Sequence, residues 1–354
     1  MAKQKMTKNL LPTTGEKVHF EQTFRGKYRG FALFLICCAL LIAAFAISSV
    51  WVKSEENGWW ESLIKEDGEN KTDTSDLQQS QSTAPPEDSN EDGVEVPMPE
   101  SATRIVREDL SYLSLGEGYV HNETAYTPDV QSLLQRELDL TNGKPPAVLI
   151  LHTHTSEGYL PADTAFITEP LGMLTYTRDS NTNVLAVGQA LADALQKKGI
   201  TAIHCTVMHD ASGLSGAYER SAETVKGYLE EYPEICLVID LHRDAVLNAK
   251  GEAVAAVSEI DGKSVAQVMA VVGTDGNGTP HEGWEDNLAL ALQLRKCLNQ
   301  SGNLCRPVSL RNASFYQELA PYALLLEIGT AAGSVEEAVS AAELVGEAIA
   351  SLLY

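Results

Sequence analysis

Cationic side chains are scarce in this chain of 354 residues: 26 Lys and Arg stand against 49 Asp and Glu, a formal net charge of −23 at pH 7. Neutralising phosphates takes basic surface, so nucleic acid is argued against as a partner. Any anionic polymer has to be held by particular groups rather than by bulk attraction. Cysteine is sparse too, six in all, with no CxxC pair and no zinc-ribbon spacing. Cys205 and Cys236 fall in apolar strand-like runs and read as buried thiols. Cys297 and Cys305 are candidates for a disulfide in an oxidising exterior. Long hydrophobic runs are lacking except for one, Phe31 to Val52, and no internal repeat is visible.

That run is 22 residues without a charge, long enough to cross a bilayer with modest tilt. Trp51 stands at its end, where an interfacial aromatic is expected. Lys3, Lys5, Lys8, Lys17, Arg25, Lys27 and Arg29 precede it, so the positive-inside rule puts residues 1–30 in the cytoplasm. A cleaved signal peptide would have a shorter apolar stretch and a small-x-small site, whereas Trp51, Val52 and Lys53 follow here. The expected organisation is therefore a basic tail (1–30), a transmembrane anchor (31–52), an acidic disordered linker (53–102) and an extracytoplasmic domain (103–354). The linker is rich in Ser, Gln, Asn, Asp, Glu and Pro, and its self-repelling carboxylates keep it extended.

Within the domain, helical spacing predicts helices over Pro128–Leu138, Asn183–Lys198, Ser215–Glu231, Trp284–Leu298 and Ser334–Leu353. Gly199 stops the second, and Ser334 with Glu337 has capping-box spacing. Short apolar runs predict strands at Val148–Leu151, Thr201–Val207, Ile235–Leu241, Val308–Leu310 and Ala323–Ile328. Val254–Ile260 and Val265–Val272 read as a hairpin about Asp261-Gly262. Strands alternating with helices predict an α/β three-layer sandwich with a mostly parallel sheet.

Three apolar runs end in chemistry. Pro146–Leu151 leads to H-T-H-T-S-E, with His154 and Glu157; Ile235–Leu241 leads to His242 in D-L-H-R-D; Tyr322–Leu326 leads to Glu327. Ligands of open α/β sheets sit beyond the carboxyl ends of strands, so these groups can meet on one edge. Two imidazoles and a carboxylate make a catalytic zinc set with a position left for water. Glu327, a carboxylate inside a core-like strand, then suits a general base. Arg243 reads either as an oxyanion or carboxylate partner or as a structural salt bridge. His152 rivals His154 as a ligand, since residues two apart in a strand share a side, and otherwise supports the site from behind. Asp240 and Asp244 are alternative partners for the second ring nitrogen of His242. His121, His204, His209 and His281 read as surface or structural, and Asn181 and Asn183 as caps of the following helix.

V-L-I-L-H-T-H-T-S-E-G-Y (Val148–Tyr159), I-D-L-H-R-D (Ile239–Asp244), L-L-L-E-I-G (Leu324–Gly329), the N-T-N before the second helix and V-V-G (Val271–Gly273) together resemble the stage II sporulation protein P family. The resemblance runs from about Tyr112 to the C-terminus, with the anchor-and-linker layout. It implies a zinc-amidase-like fold and a Zn2+-dependent cell-wall hydrolase that cleaves the N-acetylmuramoyl-L-alanine amide, with peptide cross-links as a further target. It implies partners, stage II sporulation proteins D and M, and a place in the septal intermembrane space during septal thinning and engulfment. By resemblance His154, His242 and Glu327 are functional; Glu157, three residues after His154, is assigned as the third ligand from its own position. A zinc peptidase or deacetylase on another wall bond, and a wall-binding scaffold without turnover, are the alternatives.

Overall fold

The structure is a computed structural model that describes residues 102–111, 120–141, 145–171, 175–300 and 302–353. The anticipated anchor, the linker and the basic tail lie outside the described residues. Among the described residues no helix is long and apolar enough to cross a membrane. In chain order the elements are β1 (Thr103–Glu108), β2 (Val120–Asn122), α1 (Val130–Leu133), β3 (Ala147–Leu151), β4 (Phe166–Ile167) and α2 (Val184–Lys197). There follow β5 (Thr201–His204), α3 (Ala217–Glu231), β6 (Ile235–Asp244), β7 (Ala253–Ile260), β8 (Lys263–Ala266) and β9 (Val268–Gly273). The last are α4 (Trp284–Leu298), β10 (Val308–Arg311), β11 (Tyr322–Thr330) and α5 (Val335–Leu353).

Seven strands form the main sheet in the order β2-β10-β9-β11-β6-β3-β5. All neighbours are parallel except β9 and β11. The central runs are continuous and apolar because both faces are covered. On one face Val148, Ile150, Ile239, Leu241, Leu324 and Leu326 pack with α2, α4 and α5. On the other, Ala147, Leu149, Leu151, Val238 and Ala323 pack with α3. Alternation along each strand therefore sorts side chains into three layers, helices, sheet and helix. A smaller sheet, β4-β1-β7-β8, carries the hairpin anticipated at Asp261-Gly262. Both turn residues have positive φ, 51° and 74°, as a two-residue turn of this hand requires.

The caps follow the local chemistry. Asn183 accepts from Leu185 N at the start of α2, and Ser334 and Glu337 form the reciprocal capping box of α5. Asn181 does not cap; it pairs with Asp179. The predicted first helix is helical only over Val130–Leu133, and β5 stops at His204 rather than Val207. The second arm of the hairpin is not one strand. Gln267 divides it, sending β8 to the small sheet and β9 to the large one. Its fully buried amide accepts from Leu110 N at 2.8 Å and donates to Asp109 Oδ1 and Asn303 O, both at 2.7 Å. Cys297 and Cys305 are free thiols rather than a disulfide, and burial pushes the Cys305 thiol up to about 12.

Candidate metal centre

The site is assembled where β3, β6 and β11 lie side by side. β6 is longer than the sequence suggests and carries D-L-H-R-D inside the strand. Because Val238 faces α3, so do Asp240 and His242, while Arg243 points to the opposite side. β11 runs parallel with Glu327 registered to His242. Ala323 faces α3, which puts Glu327 on the same side as His242. β3 ends at Leu151, and the turn that follows undoes strand parity. His152 stays on the α2 side, against Gly188, whereas His154 swings to the α3 side beside Tyr218. The shared-side reading of His152 and His154 fails because the strand stops before either residue.

His154, Glu157 and His242 come together, with ligand-type atoms all within 4.8 Å of one another. The Glu157 carboxylate lies between the two rings: Oε1 is 3.2 Å from His154 Nδ1 and Oε2 is 3.3 Å from His242 Nδ1. On the far side of the His242 ring, Nε2 sits 2.9 Å from Asp240 Oδ2 as an ion pair whose N–H is not aligned for a hydrogen bond. Asp240 is itself held by Thr153 N and Thr153 Oγ1, both at 2.8 Å. The hydroxyls of Tyr316 and Ser221 reach the same Thr153 oxygen at 2.9 and 2.7 Å. Asp244, the other aspartate beside His242, instead pairs with Arg306 at 2.8 Å.

The electrostatics follow from this crowding. Burial works against charge on His242, but Asp240 and Glu157 outweigh it and hold the imidazolium well above its ordinary range. Burial likewise opposes ionisation of Glu157 and Asp240. The facing His242 reverses it, holding Glu157 well below the usual carboxylate range and Asp240 at about 2. Glu327 is the exception. Burial first, then the charge of Asp244, raises it to about 8, and its Oε2 is buried without a partner. Such a carboxyl, poised near neutrality, can take up and return a proton.

Arg243 is committed elsewhere. Its backbone N–H donates to Glu157 Oε2 at 3.1 Å. Its guanidinium binds Gly158 O and Thr175, and lies 5.2 Å from the centre of the Tyr176 ring. It ties the Glu157 segment to the neighbouring loop. Sequence reasoning missed Asp210, which accepts from Ser156 N at 2.9 Å and Ser156 Oγ at 2.5 Å. It also missed Thr153, Tyr218 and Tyr316. Tyr218 alone had a local signal, its place one turn from Ser221 on α3.

A metal fits this donor set. Two imidazoles, a carboxylate and a carboxylate behind one histidine are the ligand chemistry of catalytic zinc sites. The family model described as Stage II sporulation protein P (SpoIIP) matches residues 47–350. The chain belongs to that family. A curated member, stage II sporulation protein P of Bacillus subtilis strain 168, is 28% identical over 226 residues, 60% of this chain and 53% of that protein. The chain thus spans about half the length of that relative. Among solved structures, Ami1, the N-acetylmuramyl-L-alanine amidase of Mycobacterium smegmatis, is 12% identical with a TM-score of 0.36, covering 58% of this chain and 96% of its own. The CwlD amidase of Clostridioides difficile, solved with the GerS lipoprotein, is 14% identical with a TM-score of 0.34, covering 57% and 93%. The SpoIIP motifs read from the sequence correspond to the ends of β3, β6 and β11 described above.

Proposed function

We propose that this chain is a peptidoglycan hydrolase of sporulation that cleaves the amide joining N-acetylmuramic acid to L-alanine, with zinc held by His154, Glu157 and His242. The observation that carries the reading is the triad within 4.8 Å, with the buried, unpartnered Oε2 of Glu327 on the strand registered beside it. Zinc, when bound, supplies Lewis acidity and a water whose pKa falls to about 7. The residues of the chain do the rest. Glu327 accepts the proton that water loses as the new C–O bond forms at the carbonyl. It returns that proton to the nitrogen as the C–N bond breaks, freeing the L-alanine amino group. Asp240, with Thr153 and Tyr316 behind it, sets its negative charge against Nε2 of His242 and so favours the proton on that nitrogen. Arg243 keeps Glu157 in register rather than meeting the substrate.

In the same proposal Phe31–Val52 anchors the protein, the acidic stretch gives reach, and the domain works outside the cytoplasm alongside stage II sporulation proteins D and M. The test pairs metal content with a muropeptide digest by residues 103–354. One zinc per chain is expected, with stem peptides released bearing free L-alanine amino termini. Glu327→Gln should keep its zinc and lose at least about a hundredfold in kcat. His242→Ala should lose both metal and activity. Cleaved cross-links would make the chain an endopeptidase, released acetate a deacetylase, and zinc-free inert protein a scaffold.

A further inference from the structure

The proposed reaction builds negative charge on the carbonyl oxygen, and a neutral hydrogen-bond donor facing that oxygen is worth as much as any other part of such a site. Arg243, the obvious donor by sequence, lies on the other side of β6 with its guanidinium occupied. The tyrosines nearby divide clearly. Tyr159 donates to Ile328 O at 2.8 Å, and Tyr316 is engaged with Thr153. Tyr176 lies under the guanidinium of Arg243. Tyr218 differs: among the described residues no protein group accepts its hydroxyl. Its ring is edge-on to His154 at 5.5 Å and nearly parallel to His242 at 6.4 Å, so it borders both proposed ligands.

The fold also spends strain to hold this ring. Phe315 and Tyr316 both have left-handed backbone, φ 50° and 47°, which bulky residues rarely adopt. Such backbone persists only where the surroundings enforce it. Here they do. The amide of Gln317 bonds Gly273 N and Val271 O at 2.8 and 3.0 Å, clamping the loop to β9. Gly273 has no side chain because a Cβ there would lie 2.1 Å from Ala313 O. The result is that Phe315 and Tyr316 both abut Tyr218, with ring centres 5.9 Å away. A phenol ionises only near pH 10, about three units above neutrality, so a tyrosine hydroxyl at this position is available as a donor.

We propose that Tyr218 is a catalytic residue whose hydroxyl hydrogen-bonds the oxyanion formed on the scissile carbonyl, in the place that Arg243 does not fill. The inference rests on the hydrolase reading above. No proton changes hands: the hydroxyl donates as the carbonyl oxygen gains charge and relaxes as the C–N bond breaks. The test compares zinc-loaded wild type with Tyr218→Phe, which keeps the ring and its packing. Zinc stoichiometry should be unchanged, kcat should fall about 10²–10³-fold, and KM should stay within about threefold. Acetohydroxamate, a mimic of the oxyanion that requires no particular wall bond, should bind about tenfold or more weakly to the variant. Equal kcat and equal acetohydroxamate affinity would overturn the assignment. Wild type inert on muropeptides, with acetohydroxamate still weakened by Tyr218→Phe, would reject the amidase reading and sustain the donor.

Discussion

His242 is clasped from both ends, by Asp240 at Nε2 and Glu157 at Nδ1. Without metal it is best described as an imidazolium between two carboxylates, which explains how three ionisable groups that are all nearly inaccessible coexist in the core. In the proposed zinc-bound form the metal would stand where that proton is, with Asp240 against the other side of the neutral ring. Asp240→Asn keeps the size of the side chain and its contacts with Thr153 but removes the charge. Zinc affinity of that variant is expected to fall about 10–100-fold, measured by competition with a chromophoric chelator. Unchanged affinity would show that Asp240 is there for Thr153 rather than for His242. H-x-x-E and D-L-H-R-D were readable as ligand-bearing strings. The choice between Asp240 and Asp244 was not, because a strand's two faces exchange with every residue and only its neighbours say which face meets the metal.

Among the elements, α2 lies closest to the hidden side of the site. Its Gly188 faces two imidazoles set edge to face, and a Cβ there would come within 2.6 Å of His204 Nε2 and 2.7 Å of His152 Nε2. The two rings share one hydrogen bond, Nε2 to Nε2 at 2.9 Å, while His152 Nδ1 donates to Leu241 O. Burial first, then the neighbouring imidazole, lowers His152 to about 3; burial lowers His204 to about 4. Both values lie below the unfolded value of 6.5, so the unfolded chain binds more protons between about pH 6.5 and 3. Stability is therefore untouched by this pair above pH 6.5, falls as pH drops below 6.5, and levels off at about 4 for His204 and about 3 for His152. Urea unfolding across that range should show the loss, and His204→Gln should flatten it. An identical slope in the variant would remove the pair as its source.

At the scale of the whole molecule, the small sheet passes directly into the large one between β8 and β9, at Gln267. Its amide meets Leu110 N, Asp109 and Asn303 O, and its own N–H continues the ladder to Ala256 O at 2.9 Å. Gln267→Ala would leave Leu110 N buried without an acceptor, at a cost of about 1–3 kcal/mol. Thermal unfolding is expected to move down by several degrees with zinc content unchanged, since the triad lies on β3, β6 and their connections. Loss of zinc in that variant would mean that the small sheet supports the metal centre directly.

Periodicity, turn residues and caps were local properties, and the sequence alone determined them: the α/β order, the type I′ geometry at Asp261-Gly262 and the capping box of α5 depend on neighbours within a few residues. The ends of the apolar runs also marked His154, His242 and Glu327, because a charge after a buried strand has to meet something. What tertiary structure alone decided was facing and commitment. It set His152 against α2 rather than beside His154, turned Arg243 away from the site, divided the hairpin's second arm between two sheets, and left the Tyr218 hydroxyl without an acceptor among the described residues. Those outcomes rest on which strands lie side by side and on where each strand stops, and residues far apart in the chain settle both.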